Sequence, residues 1–196
     1  MCIRDRTGHE LESYVTPMHC QRRGDAKAAI AEAPMKLEGV FQSGGQEQMY
    51  LEGQVSLAIP DEDGRMLVYS STQHPSEGQK LVAEVLNIPL SHVTVQVRRM
   101  GGAFGGKETN ANQWACLAAL LANKTSRPVR LKLSRAEDFI LTGKRHPFLS
   151  KYKVGFSSSG EILGLEIDLF GDCGMSPDLS DAIVDRAMFH IDNCYY

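Results

Sequence analysis

The sequence predicts an α+β fold of mixed strands, joined as hairpins, with helices packed among them. Three observations carry that reading. Val55 to Ile59 and Met66 to Ser70 are short strand-like runs flanking Pro60-Asp61-Glu62-Asp63-Gly64, a turn cluster that predicts a hairpin. Phe148 to Phe156 and Ile162 to Phe170 flank Ser157-Ser158-Ser159-Gly160 and predict a second. Its second strand alternates, with Leu163, Leu165, Ile167 and Leu169 on one face and Glu166 and Asp168 on the other. Between the hairpins lie stretches of helical spacing in no regular βαβ order, and with 196 residues at 42% hydrophobic the chain can bury a core.

The elements follow in chain order. Residues 1–13 show neither period and are expected to be a disordered or foreign leader, with the folded part running from 14 to 196. Asp25 to Ala33 is Ala-rich and stops before Pro34, which predicts a short helix. Asp61-x-Asp63-Gly64 opens like a calcium loop, but the twelfth position is Thr72 and not Glu, so turn chemistry is the better reading. Ser76 with Gln79 has capping-box spacing, and Leu81, Val82, Val85 and Leu86 form one stripe, which predicts an amphipathic helix over Ser76 to Leu86. Val93, Val95 and Val97 alternate as a strand, and a helix is expected from about Glu108 to Asn123. Val129 to Leu133 reads as a strand, Ser134 with Glu137 repeats the capping-box spacing, and a last helix spans about Leu179 to His190.

Composition narrows the function. Lys and Arg number 21 against 24 Asp and Glu, a net charge of −3, so no positive excess exists to neutralise a nucleic acid backbone. The longest apolar run, Trp114 to Ala122, has nine residues where a membrane span needs ~20, so no membrane role and a cytoplasmic location are expected. Five cysteines without a C-x-x-C pair, and six scattered histidines, point to no metal held directly by side chains. Arg23-Gly24-Asp25 reads as a helix-start turn, Asn123-Lys124-Thr125 as an unused sequon, and Arg98-Arg99 as a solvated strand end.

The most informative segment is Met100 to Glu108, with Gly101, Gly102, Gly105 and Gly106 between a strand and a helix. Glycines so concentrated cost conformational entropy, so the backbone shape or its close approaches must exclude a Cβ. A turn of this kind before a helix can receive an anion or a polar cofactor edge, because the first helical N–H groups are unpaired. Gly101-x-x-x-x-Gly106-Lys107 matches most of a P-loop, yet Glu108 stands where Ser or Thr is required and would face the phosphates. Glycines that only let a helix pack on a sheet are the bland alternative. Gly44 to Glu52, taken alone, is an ordinary polar turn.

Taken together, Gly44 to Glu52, Ser71-Thr72-Gln73, Met100 to Thr109, Thr142-Gly143-x-Arg145-His146-Pro147-Phe148 and Arg186 to Tyr195 form a pattern. It resembles the molybdenum-cofactor-binding part of the xanthine dehydrogenase family of molybdenum hydroxylases, from about Tyr14 to the last residue. Gln48 and Met49 depart from the His-Phe pair usual at that point.

The resemblance implies a truncated molybdenum-cofactor-binding domain. By it, Gln46 contacts a molybdenum oxygen through its side-chain amide, and the backbone around Gly102, Phe104 and Gly105 approaches the metal and pterin. Glu108 and Arg186 are implied to grip a purine, the carboxylate pairing with ring N–H groups and the guanidinium stabilising charge on a ring carbonyl oxygen. The implied activity is hydroxylation of hypoxanthine or xanthine with water-derived oxygen at a molybdenum-pterin centre (molybdopterin). Electrons then pass to iron–sulfur clusters and FAD on a partner subunit of a hetero-oligomer. The general base of the family is absent from this chain, so a fragment inactive alone is expected. A non-catalytic assembly domain of such a complex is the alternative, and an aldehyde-oxidising relative a more distant one.

Overall fold

A computed structural model describes residues 2–3 and 14–193 of the chain. The expected leader over 1–13 lies outside the described residues, apart from Cys2–Ile3, whose backbone pairs in parallel with Gly171 and Asp172. The chain divides into two compact units, unit 1 formed by Met1–Gln46 with His146–Tyr196 and unit 2 by Glu47–Arg145.

Unit 2 holds a four-stranded sheet in the order β5-β4-β3-β6, from β3 (Val55–Pro60), β4 (Met66–Ser70), β5 (Val93–Gln96) and β6 (Val129–Lys132). The expected hairpin is present, with Pro60 opposite Met66. Its turn uses Asp63 at φ +58° and Gly64 at φ +69°, and the Asp61 side chain accepts from Glu62 N–H, so the carboxylates serve the turn. β4 and β5 are parallel, joined by helix α2 (Pro75–Leu86), so one βαβ crossover sits inside the α+β fold.

Alternation sends Ala58 of β3 and Met66 and Val68 of β4 inward, against Val82 and Ala83 of α2 and the small-residue stripe Ala115, Ala118, Ala119 and Ala122 of α3 (Asn110–Thr125). Alanine at that spacing lets the helix axis approach the sheet closely while keeping helix propensity high. Burial of each larger core side chain contributes about 1.5–3 kcal/mol.

The start of α2 differs from the sequence expectation. Pro75 occupies the first turn, whose fixed φ and missing N–H suit that place, so the cap falls at His74 and no side-chain cap bond forms. Ser76 is then already inside the helix, and Gln79 donates instead to Leu90 O and Val93 O. Val85 of the expected apolar stripe is exposed. The capping box of α4 (Arg135–Leu141) forms as expected, with Ser134 and Glu137 bonding reciprocally.

Unit 1 is a sheet in the order β1-β8-β7-β2, where β1 is Cys2–Ile3, β2 is Met35–Ser43, β7 is Phe148–Phe156 and β8 is Ile162–Asp172. The second expected hairpin is β7–β8, in register from Phe148 with Gly171 to Phe156 with Ile162 and bulged at Gly155/Phe156. Strand β2 has no counterpart in the sequence reading. Met35, Leu37, Val40 and Phe41 are all exposed, so its sequence follows no one-face alternation. Helix α1 (Ala26–Glu32), capped by Asp25 accepting from Ala28 N–H, lies on β7 and β8. Gly155 permits this, because a Cβ there would meet Ala33 Cβ at 2.7 Å and Ile30 Cα at 2.9 Å. Helix α5 (Ser180–His190) packs on β8, with Val184 buried.

Candidate active site

The glycine-rich segment of unit 2 is a loop that ends in a bend, and α3 begins only at Asn110, with Thr109 as its cap. Glu108 therefore precedes the helix instead of opening it, and it is exposed. Phe104, at φ +53°, is 73% exposed at the loop surface, followed by Gly105 at φ +91°. Gly102, also at φ +91°, lies against the Phe104 ring and Tyr50 Cβ.

Lys107, the residue that gave the segment its P-loop look, is turned inward with no exposed surface. Its ammonium donates to Glu52 Oε2 at 3.2 Å and Ser71 Oγ at 2.8 Å, and lies 4.8 Å from the Tyr50 ring centre. Burial pulls the Lys107 ammonium below its ordinary value, while Glu52 pushes back. For Glu52, desolvation raises the carboxyl, but bonds from Ser71, Gly101 and Lys107 outweigh it and hold it below the ordinary value. A lysine so engaged is not free to hold a phosphate.

Beneath the loop, a second buried network joins distant parts of unit 2. Asp138 Oδ1 accepts from Tyr50 Oη at 2.5 Å, and Asp138 Oδ2 from Gln54 N–H at 2.7 Å. Gln54 Nε2 donates to Gly106 O at 3.0 Å. Burial, with the Asp138 bond, pushes the Tyr50 phenol up to about 12. Asp138 had no local signal, since an acidic residue in the first turn of a capped helix is ordinary dipole chemistry. Tyr50 and Gln54 adjoin or fall within the Gly44 to Glu52 block, which was their one signal.

The remaining residues singled out in the sequence belong to unit 1. Gln46 is exposed and sits in a single bridge after β2, and Arg186 is exposed on α5. Unit 1 also contains a cavity of about 470 Å³, whose lining includes Leu165, Ile167, Val184, His19, Asp181 and Asp185, and unit 2 a groove of about 410 Å³ beside Leu57 and Tyr69. None of Gln46, Gly102, Phe104, Gly105, Glu108 and Arg186 lines either. The His19, Asp181 and Asp185 ligand atoms lie within 4.8 Å of one another, a grouping the scattered histidines did not foretell. Among the described residues Cys20 and Cys116 are free thiols, and no helix is long and apolar enough to cross a membrane.

The molybdopterin cofactor-binding domain matches residues 9–196. The chain belongs to this family. Its relatives include xanthine dehydrogenase/oxidase of Mus musculus, 47% identical over 184 residues, covering 93% of this chain and 14% of that protein. That of Gallus gallus is 43% identical over 187 residues, 95% of this chain and again 14% of the relative. The chain thus spans a small part of the curated relatives it matches. Among solved structures, the aldehyde oxidoreductase of Desulfovibrio gigas superposes with a TM-score of 0.74 at 27% identity, over 83% of this chain and 18% of that one. Quinoline 2-oxidoreductase of Pseudomonas putida 86 gives 0.67 at 25%, over 75% and 19%.

The loop residues fit a pterin-borne group. A Cβ built at Gly105 meets nothing within 4 Å, so that backbone is open to close approach, whereas at Gly106 it would strike Tyr50 Cε1 at 2.7 Å. Next to Gly106, Gln48 Oε1 is buried without a hydrogen-bond partner, an acceptor left over for a donor at the loop.

Proposed function

We propose that the chain forms part of the molybdenum-cofactor site of a purine hydroxylase of the xanthine dehydrogenase type. When bound, the molybdenum–pterin group supplies the oxygen-transfer and electron-accepting chemistry. The chain supplies position and charge. The Gly102 and Phe104–Gly105 backbone takes the pterin edge at close range, and the Gln46 side-chain amide donates to the bound group. Glu108 accepts from purine N–H groups, and Arg186 stabilises negative charge gathering on a ring carbonyl oxygen, an interaction that strengthens toward the transition state. Iron–sulfur and FAD centres, on a partner subunit of a cytoplasmic hetero-oligomer, would serve as the electron acceptors.

One observation carries the purine reading: identity of 47% to a xanthine dehydrogenase/oxidase over 93% of the chain, with Glu108 and Arg186 both present. The test uses the longer protein or complex containing this chain, with molybdenum and pterin quantified. Glu108→Gln and Arg186→Met are expected to lower xanthine turnover by roughly 10²-fold or more with melting temperature and molybdenum content unchanged. Full turnover in both variants excludes these roles. The fold likeness to the Desulfovibrio gigas aldehyde oxidoreductase supports a second reading, oxidation of an aldehyde, which turnover of an aldehyde in preference to xanthine would select. A complex lacking molybdenum altogether would select the assembly role.

A further inference from the structure

The glycine-rich loop is gripped at both ends in the same manner. At its start, Glu52 N–H donates to Gly101 O at 3.0 Å, and Glu52 Oε2 accepts from Gly101 N–H at 3.1 Å. At its end, Gln73 N–H donates to Lys107 O at 2.9 Å, and Gln73 Oε1 accepts from Lys107 N–H at 3.3 Å. Each grip meets both the N–H and the C=O of a single loop residue, reproducing the two-bond pairing of antiparallel strands with one side-chain oxygen in place of a carbonyl. Thr72 Oγ1 adds a second donor to Lys107 O at 3.1 Å, and the Lys107 ammonium ties the far end of the loop back to Glu52.

The two grips differ in one respect. Gln73 Oε1 also accepts from Gly105 N–H at 3.0 Å, so this side chain alone reaches the Phe104–Gly105 pair. That pair needs holding. Phe104 occupies a left-handed conformation that is strained for a non-glycine residue and persists only where its surroundings impose it. Gln73 is itself exposed, so its side chain serves no core.

We propose that Gln73 is a positioning residue that holds the Phe104–Gly105 turn in the shape it presents to the cofactor, with Glu52 as its counterpart at Gly101. The clamp is a property of unit 2; only the identity of what the turn presents itself to rests on the molybdopterin reading.

Amide hydrogen exchange, followed residue by residue by NMR on this chain, tests the clamp. Gln73→Leu is expected to speed exchange at Gly105 and Lys107 about tenfold with little change in melting temperature. Gln73→Glu is expected to restore slow exchange, because a carboxylate can accept from both amides. Gln79→Leu, which loses other side-chain bonds of unit 2, is expected to leave Gly105 unchanged. Unchanged exchange at Gly105 in Gln73→Leu, or no rescue by Gln73→Glu, overturns the proposal. In the longer cofactor-loaded protein, Gln73→Leu is expected to retain less molybdenum than Gln73→Glu, and equal retention overturns the positioning role. Absence of molybdenum from the unsubstituted protein, with the exchange result as expected, overturns the molybdopterin reading while the clamp stands.

Discussion

Unit 2 buries Tyr50, Gln54, Lys107 and Asp138 almost completely and pairs them with one another or with the loop above, whereas unit 1 leaves Met35, Leu37, Val40 and Phe41 of a single strand in solvent. In unit 1 the buried apolar side chains among the described residues are Ala33, Phe170 and Val184, while unit 2 has a continuous core from Ala58 to Ala122. The difference teaches how the two parts carry their site residues. In unit 2 the loop takes its shape from bonds made within residues 47–145, so its backbone is set in advance. In unit 1, Gln46 and Arg186 stand on a thinner scaffold that offers exposed side chains.

The largest expected effect breaks the unit 2 side of that contrast. Asp138→Ala strands the Tyr50 hydroxyl and the Gln54 N–H in the interior and is expected to cost about 3–4 kcal/mol, read as a lower urea midpoint with loss of the slow-exchanging amides of the glycine-rich loop. An unchanged midpoint would mean that these bonds do not hold unit 2 together. Next in size, Gly155→Ala forces a Cβ into α1 and is expected to cost about 1–3 kcal/mol, with line broadening over α1, β7 and β8 of unit 1 alone. Ser134→Ala removes one half of a capping box and is expected to cost about 1 kcal/mol, confined to unit 2.

These sites also mark what the sequence could disclose. The β3–β4 and β7–β8 hairpins and the Ser134 cap were legible, because each depends on residues a few positions apart. Strand β2 was not, since exposure on both faces erases the period of two that marks a strand. The division into units was hidden because unit 1 is discontinuous, resuming at His146 after Gln46. The pairs Tyr50–Asp138 and Lys107–Glu52 bridge 88 and 55 positions, and only folding shows that such residues meet. Of the site, the glycine loop was legible as a special backbone, while the residues that hold it were not. Residue roles at Gln46, Glu108 and Arg186 rested on resemblance, with no local pattern of their own.

The smallest expected effect sets the two units apart by pH. His19 is held above its ordinary value by its hydrogen bond to Asp185 and by that carboxylate's charge. Its contribution is full below the ordinary histidine value and is lost as pH rises through the raised one. Glu52 has the opposite sign, its contribution present above the ordinary carboxylate value and lost as pH falls through the lowered one. Amide shifts around α5 are expected to move on the alkaline side and those around Gly101 on the acid side. Shifts moving together in both units would contradict the separate assignments.

The most direct measurement is an anomalous difference map, recorded at the molybdenum absorption edge, from crystals of the cofactor-loaded protein that contains this chain. A peak is expected beside the Phe104–Gly105 backbone. A peak remote from the glycine-rich loop, in a protein that still oxidises xanthine, would contradict it.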